Sequence, residues 1–277
     1  MDVITFNVGQ GSMVMVRHAG EAIIVDARIP PSNDTVAYVK KILSTFSKHH
    51  FVRGLILTGF DRDHADVSGV ALVLRKYRPE WILYPDYDSD TESFAAVHEI
   101  IAEEQHARRE STQPLESLGI TMESLNNGRL SSLSNVFDLR FFSPHPDDMD
   151  SSNNSSIVVK ISGRGGDGFS YLVTGDTENP RWERINAIFR NQLLSDVMAA
   201  PHHGSKNGTN AETLLLVSPN TILISAGVDN PFGHPHPGVL SACTSVAKHV
   251  FATNTDRGNS LHTKRQGADF RTIAFQD

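Results

Sequence analysis

The chain has 277 residues, of which 39% are hydrophobic, and a formal net charge of -7. This length suits one large domain or two small ones, and no stretch approaches the roughly 20 apolar residues that a membrane-spanning helix needs. Because Cys243 is the single cysteine, an internal disulfide is excluded and any metal ligands must be His, Asp or Glu. We expect a cytoplasmic protein without a secretion signal or membrane insertion. The negative charge argues against strong nonspecific affinity for nucleic acid, without excluding such a substrate.

The first half of the chain alternates short apolar strands with helices. Glycine turns separate the opening strands, and the first helix has an apolar face at helical spacing with Asn33 or Asp34 as its expected N-cap. The predicted strands cover residues 2–7, 12–18, 21–26, 54–58 and 81–84, and the predicted helices cover residues 34–48, 67–77 and 91–110.

The second half repeats this style without repeating the sequence. Two strand-rich halves with helices predict two sheets packed face to face with helices outside, an αβ/βα sandwich of the α/β class. We expect a single domain over residues 1–277, with a helical cap inserted at about 88–135. The predicted strands here cover residues 137–142, 156–162, 170–174, 196–200, 221–225, 249–253 and 269–275, and the helices cover residues 182–191, 211–217 and 237–247.

A cluster of polar residues follows the apolar strand that ends near Leu57. In an extended segment, positions i and i+2 point the same way, so the carboxylates of Asp61 and Asp63 could converge beside the imidazole of His64. These groups are metal donors. Gly59, in the same motif, has no side chain to donate.

Four further polar sites also stand at predicted strand ends. Taken alone, an Asp after a strand is most often a turn or helix cap, and a His beside Gly or Pro is usually an exposed loop residue. The repeated arrangement at strand ends favours one shared site over independent caps. The sites are Asp26, Asp176, the pair His202 and His203, and the pair His234 and His236.

Several short motifs together resemble a known family. In combination, and in this order, they look like the metallo-β-lactamase-fold hydrolase domain of ComEC-type DNA-uptake proteins, over nearly the whole chain. The motifs are Phe6-Asn7-Val8-Gly9-Gln10-Gly11, Ile24-Val25-Asp26-Ala27, Thr58 with Asp61, Asp63 and His64, Asn154-Ser155-Ser156-Ile157-Val158, Thr174-Gly175-Asp176, Pro201-His202-His203-Gly204-Ser205 and Gly233-His234-Pro235-His236.

The resemblance implies a metal-dependent hydrolase that uses Zn or Mn, with one or two ions. It implies that Asp63 and His64 hold one metal, that Asp61 helps to hold the other and that Asp176 bridges the pair. His202, with His234 or His236, would complete the ligand set, and Asp26 would orient the ligands. The catalytic residues implied are Asp63 and His203, with His203 as the general acid.

This chain departs from the family pattern at four positions. Gly59 replaces the first His of the metal motif, so one metal site is expected to be weakened or empty. Asn7 and Ser12 replace Asp residues, and Arg28 stands where the family usually has Gly. His145 could substitute as a ligand, although an exposed turn is the simpler interpretation.

The implied reaction is phosphodiester hydrolysis by a metal-activated hydroxide, with nucleic acid or a nucleotide as the substrate. The same fold also hosts hydrolases of lactones, thioesters and β-lactams. An alternative is a catalytically weakened domain that binds a nucleotide or a protein partner as a regulatory component of a complex. The sequence leaves the oligomeric state open.

Overall fold

The computed structural model describes residues 1–29, 32–121, 129–145, 151–255 and 258–276. Within these ranges the chain forms fourteen strands and six α-helices. The strands are β1 (Asp2–Thr5), β2 (Val14–His18), β3 (Glu21–Val25), β4 (Phe51–Ile56), β5 (Trp81–Pro85), β6 (Glu116–Ile120), β7 (Phe137–Ser143), β8 (Val158–Gly163), β9 (Ser170–Val173), β10 (Val197–Ala199), β11 (Thr221–Ile224), β12 (His249–Ala252), β13 (Ser260–Gln266) and β14 (Asp269–Phe275). The helices are α1 (Asn33–Ser47), α2 (Val67–Leu72), α3 (Glu92–Arg108), α4 (Asn179–Phe189), α5 (Ala211–Val217) and α6 (Pro237–Val246).

The strands form two mixed sheets. The first has eight strands in the order β14-β13-β1-β2-β3-β4-β5-β6, antiparallel from β14 to β3 and parallel from β3 to β6. The second has six strands in the order β12-β11-β10-β9-β8-β7, parallel from β12 to β9 and antiparallel from β9 to β7. The prediction of an αβ/βα sandwich is therefore confirmed.

Alternation along the strands builds the layers. In β3, Ile23 and Val25 pack in a cluster that joins the two sheets, whereas Ala22 and Ile24 pack with the helices on the outer face of the first sheet. Both sets are fully buried, so β3 lies in the interior of the molecule. A third cluster, which includes Trp182 of α4, covers the outer face of the second sheet.

Most predicted elements are present with small shifts at their ends. The helix predicted over 34–48 is α1, and its N-cap is Ser32, whose hydroxyl accepts a hydrogen bond from the Thr35 backbone N–H at 3.3 Å. The expected caps at Asn33 or Asp34 are therefore wrong by one or two positions. The helix predicted over 211–217 matches α5 at both ends.

Two strands are additions to the prediction. β6 lies inside the segment 88–135 that was expected to form a cap, but it pairs in parallel with β5, so α3 is a crossover helix between two sheet strands. Residues 122–128 of that segment lie outside the described residues, and a single domain over 1–277 stays a prediction. The other addition, β13, pairs with β1 and β14.

In the part of the chain that the structure describes, no helix is long and apolar enough to cross a membrane.

The parallel strands bring five loops to one edge of the molecule. The loops that follow β3 and β4 leave the carboxyl ends of the first sheet, and the loops that follow β9, β10 and β11 leave the carboxyl ends of the second. Such edges are where α/β proteins place their binding residues.

Candidate metal centre

The loop after β4 is folded into a tight turn by backbone hydrogen bonds. The N–H groups of His64 and Ala65 both donate to the Asp61 carbonyl, at 2.8 and 2.9 Å. The turn is tied to its neighbours because Ser12 N–H donates to the Asp63 carbonyl at 2.8 Å and Ala27 N–H donates to the His64 carbonyl at 2.7 Å. These hydrogen bonds therefore fix the backbone positions of Asp63 and His64.

Four side chains from the two sheets converge at this edge. Asp63, His64, Asp176 and His203 each offer one ligand atom, and these atoms all lie within 4.8 Å of one another. His64 Nε2 lies 3.0 Å from Asp176 Oδ1, and His203 Nε2 lies 3.5 Å from both Asp176 Oδ1 and Asp63 Oδ2. This set, the four-residue cluster, is a compact candidate site for one cation.

Each histidine of the cluster is oriented through its Nδ1 atom. His203 Nδ1 lies 2.8 Å from the carbonyl oxygen of Ser225, so it donates a proton and leaves Nε2 facing the cluster. His64 Nδ1 lies 2.8 Å from Asp26 Oδ2 and 2.9 Å from the Thr58 hydroxyl. Metal-binding histidines commonly have this arrangement, because the outer acceptor fixes the ring and its tautomer.

Asp26 is itself held by Thr58. Its Oδ1 atom accepts hydrogen bonds from the Thr58 backbone N–H at 2.7 Å and from the Thr58 hydroxyl at 2.9 Å. Asp26 has a positive φ of 57°, a conformation that is uncommon outside glycine and is enriched in Asn and Asp. The strained backbone turns the carboxylate towards His64, as expected for a residue that orients a ligand.

The inward-facing atoms of the cluster fit a metal ion. His64 Nε2, His203 Nε2 and Asp176 Oδ1 are buried, and apart from their charged contacts within the cluster they have no hydrogen-bond partner. Buried polar atoms in folded proteins nearly always have a partner, and atoms that lack one often face the position of a bound ion or water. Two imidazoles and two carboxylates form a donor set that a divalent metal accepts.

The charges in the cluster shift each other's pKa values. Burial by itself lowers the pKa of His64, but the carboxylates of Asp176 and Asp26 outweigh it, and the pKa stands well above its usual value. Burial also lowers the pKa of His203, but the charge of Asp176 and the neighbouring Asp63 carboxylate raise it overall. The pKa of Asp176 is held below its usual range because His64 and His203 outweigh the effect of burial.

Three other predicted ligands lie around the cluster, outside the compact group found among the described residues. His202 Nε2 is 3.7 Å from Asp176 Oδ2, and its Nδ1 is 3.6 Å from Glu178 Oε1. The ring of His234 lies 5.7 Å from the ring of His202. Asp61 is half-buried and contributes its backbone carbonyl to the turn.

The positions of the two adjacent histidines follow from an unusual backbone. His202 and His203 have positive φ values of 47° and 55°, and Gly204 follows with 82°. This left-handed run sends the His203 side chain into the cluster and leaves His202 at its rim. The resemblance implied His202 as a metal ligand and His203 as the general acid, whereas in the structure His203 belongs to the four-residue cluster and His202 lies beside it.

Two neighbouring groups had no role assigned to them from the sequence, although Ser156 lies in one of the motifs quoted for the resemblance. Glu178 stands beside His202, and the hydroxyl of Ser156 accepts a hydrogen bond from the Asp176 backbone N–H at 3.1 Å.

At Gly59, an added Cβ would meet no atom within 4 Å, so the space for a missing side chain is open. His145 follows the cis peptide bond between Ser143 and Pro144 and is outside the compact group of described residues.

Two mixed sheets flanked by helices, with a four-residue cluster where loops from both sheets meet, define a protein of the metallo-β-lactamase fold. Comparison with solved structures supports this fold. A metallo hydrolase from the archaeon Ignicoccus hospitalis aligns over 96% of this chain and 100% of its own, with a TM-score of 0.54 and 14% identity. The metallo-β-lactamase fold protein YhfI from Bacillus subtilis aligns over 94% of this chain and 99% of its own, with a TM-score of 0.50 and 11% identity.

In sequence, the chain resembles ComEC-type competence proteins. ComE operon protein 3 of Bacillus subtilis is 31% identical over 202 residues, which are 72% of this chain and 23% of that protein. Recombination protein 2 of Haemophilus influenzae is 27% identical over 243 residues, which are 86% of this chain and 26% of that protein. The chain thus spans about a quarter of the length of these relatives. No family model matches the chain.

Proposed function

We propose that this protein is a metal-dependent phosphodiesterase or nuclease that acts on nucleic acid or a nucleotide. The observation that carries the proposal is the four-residue cluster of Asp63, His64, Asp176 and His203, with its buried, unsatisfied and inward-facing atoms. A soluble role in the cytoplasm is part of the proposal, and the buried free thiol of Cys243 fits a reducing compartment.

Zn or Mn would be held by the four residues of the cluster. When bound, the cation supplies positive charge that favours water as a nucleophile near neutral pH and offsets charge on the phosphoryl oxygens. The protein's part is positioning: Asp26 and the Ser225 carbonyl hold the two imidazoles with Nε2 inward. The partly exposed carboxylate of Asp63 faces the same site.

The general acid is better assigned to His202 than to His203. His203 donates its Nδ1 proton to the Ser225 carbonyl, and with a metal bound its Nε2 atom would be a ligand, so it would have no proton free for a leaving group. His202 stands at the rim with Glu178 3.6 Å from its Nδ1 atom. We propose that this pair delivers the proton to the leaving oxygen.

The choice of a nucleic-acid substrate is supported by the relatives. The name of one of them, Recombination protein 2, refers to recombination, a process that favours a substrate with a phosphodiester backbone. Because the chain spans only part of those proteins, the activity of the whole relatives does not transfer as a unit.

The test is metal content together with hydrolysis. We expect the purified protein to bind Zn²⁺ or Mn²⁺ stoichiometrically and to cleave bis-p-nitrophenyl phosphate or single-stranded DNA, with activity lost in Asp63→Ala and His64→Ala. Elemental analysis and calorimetry measure the metal, and nitrophenolate release measures turnover. Absence of bound metal, or activity that survives both substitutions, would overturn the proposal.

A second candidate function is a weakened domain that binds a nucleotide or a protein partner. Gly59 favours it, since the motif lacks a donor there while the space for one stays open. In the same assays, this candidate predicts bound metal without turnover by the wild-type protein, and turnover that appears in Gly59→His. Gly59→Ala is the matched control, because it adds a Cβ in the same open space without a donor.

A further inference from the structure

The loop between β11 and α6 carries an exposed aromatic side chain beside the metal centre. Phe232 is 65% exposed, and its ring is stacked on that of His234, with centroids 5.7 Å apart and an angle of 28° between the planes. The ring of His234 packs edge-on against the ring of His202, with the ring centroids 5.7 Å apart. His202 Nε2 in turn lies 3.7 Å from Asp176 Oδ2. Two ring contacts therefore connect Phe232 with the edge of the cluster.

This loop is held in place by side-chain hydrogen bonds. Asn230 accepts from the His234 backbone N–H at 3.0 Å and donates to the carbonyls of Gly227 and His234 at 2.9 and 2.6 Å. Asn254 donates to the same His234 carbonyl at 3.2 Å, and Gln10, from the loop between β1 and β2, accepts from Gly227 N–H at 3.3 Å. The backbone of the loop that carries the exposed Phe232 ring is therefore held in place.

A braced aromatic ring with free surface suits stacking. Exposed apolar side chains are common singly and need no explanation, and Leu215 and Ile188 are comparably exposed on helices of the second sheet. Phe232 differs from them because it is already stacked on a ring that borders the metal centre. With most of its surface exposed, the phenyl ring has room for a second stacking partner.

We propose that Phe232 and His234 form a stacking platform for a nucleobase of a single-stranded substrate whose phosphodiester lies at the cluster. Every base offers a π-face, so such a platform binds single strands with little sequence preference. Bases paired and stacked inside a duplex are not available to it. The inference deepens the proposed function and rests on it for the position of the phosphate.

The test compares a substrate with bases and one without. The probes are a fluorescein-labelled oligothymidylate and an abasic oligomer of the same length, and the proteins are wild type, Phe232→Ala, Phe232→Trp and the control Leu215→Ala. Binding is measured by fluorescence anisotropy in an Asp63→Ala background, which prevents turnover, and KM is measured in the otherwise unchanged protein.

We expect Phe232→Ala to weaken oligothymidylate binding by about 5- to 100-fold, the range that loss of one base–aromatic stack produces. Phe232→Trp should bind at least as well as wild type, and Leu215→Ala should leave binding unchanged. Binding of the abasic oligomer should not depend on residue 232. No binding of oligothymidylate, or equal losses for both oligomers, would overturn the platform.

These outcomes are separable from those of the proposed function. If the protein cleaves bis-p-nitrophenyl phosphate but substitutions at residue 232 do not change oligomer binding, the phosphodiesterase proposal stands and the platform proposal fails. If binding depends on the bases and on Phe232 but no metal-dependent cleavage is found, the platform proposal stands and the phosphodiesterase proposal fails.

Discussion

At the scale of single residues, Asp26 shows how a strained position supports the candidate centre. It is almost fully buried, its backbone is left-handed, and its carboxylate connects Thr58 to His64. The sequence indicated that Asp26 follows an apolar strand, but an Asp that only caps an ordinary turn stands in the same position. The φ value and the contact with His64 Nδ1 distinguish the two interpretations, and neither can be read from sequence.

We predict that Asp26→Asn lowers metal affinity by about 10- to 100-fold, the usual cost of losing an acceptor behind a metal-binding histidine. Asn tolerates a left-handed backbone, so the fold should be retained, while an amide cannot supply the charge that faces His64 Nδ1. Competition with a chromophoric chelator measures the affinity, and thermal unfolding checks the fold. Unchanged affinity in a folded variant would show that Asp26 does not orient His64.

At the scale of secondary structure, most apolar strands and amphipathic helices were predictable from the sequence, whereas β6 and β13 were not. After their first residues, Glu21 and Thr221, β3 and β11 are continuous apolar runs because both faces are buried. β13 ends in Lys264, Arg265 and Gln266, all exposed, so its hydrophobic pattern is short. β6 is mostly half-buried and lacks clear alternation, and its pairing with β5 is a tertiary effect.

The short helix α2 links secondary structure to the centre through Gly69. A Cβ at this position would lie 1.7 Å from the backbone oxygen of Ala27, the residue after Asp26. Asp66 caps α2 by accepting from the backbone N–H groups of Ser68 and Gly69, at 3.1 and 3.4 Å, and it also pairs with Arg28 at 3.1 Å. The helix start and the Asp26 loop are thus packed as one unit.

We predict that Gly69→Ala destabilises the protein, although Gly→Ala inside a helix normally stabilises it by about 1 kcal/mol. The clash with Ala27 should outweigh this gain and leave a net loss of about 1–3 kcal/mol, which lowers Tm by several degrees in a chain of this size. Metal affinity should fall with it, because Ala27 and Asp26 must move together. Gly59→Ala, which adds a Cβ where no atom lies within 4 Å, is the control and should leave Tm nearly unchanged. A higher Tm for Gly69→Ala would contradict the packing.

At the scale of the whole molecule, the centre exists only when the two sheets are packed. Asp63 and His64 come from the first sheet, and Asp176 and His203 come from loops of the second. Motifs at strand ends predicted that these residues share an edge, because parallel strands end together. The selection of His203 over His202 depends on the left-handed backbone after β10, which the pattern Pro-His-His-Gly does not specify.

The same charges make stability depend on pH in the metal-free protein. The pKa values of His64 and His203 are raised in the folded state, so their contribution is fully present below the unfolded value of about 6.5 and is lost as pH rises through the folded pKa. The pKa of Asp176 is lowered, so its contribution is present above about pH 3.9 and is lost as pH falls through its folded pKa. The metal-free protein should be most stable between these limits.

We therefore predict that, with chelator present, Tm falls as pH is raised from about 6 to about 9, and that Mn²⁺ or Zn²⁺ reverses the fall. Metal binding needs unprotonated imidazoles, so the stabilisation by metal should grow with pH and be accompanied by proton release. Thermal unfolding across pH, with and without metal, measures the effect, and calorimetry in buffers of different ionisation enthalpy counts the protons. The control His64→Asn should flatten the alkaline decline, since it removes one raised pKa. A metal-free Tm that rises over this range would show that His64 and His203 are not held protonated by their carboxylate neighbours.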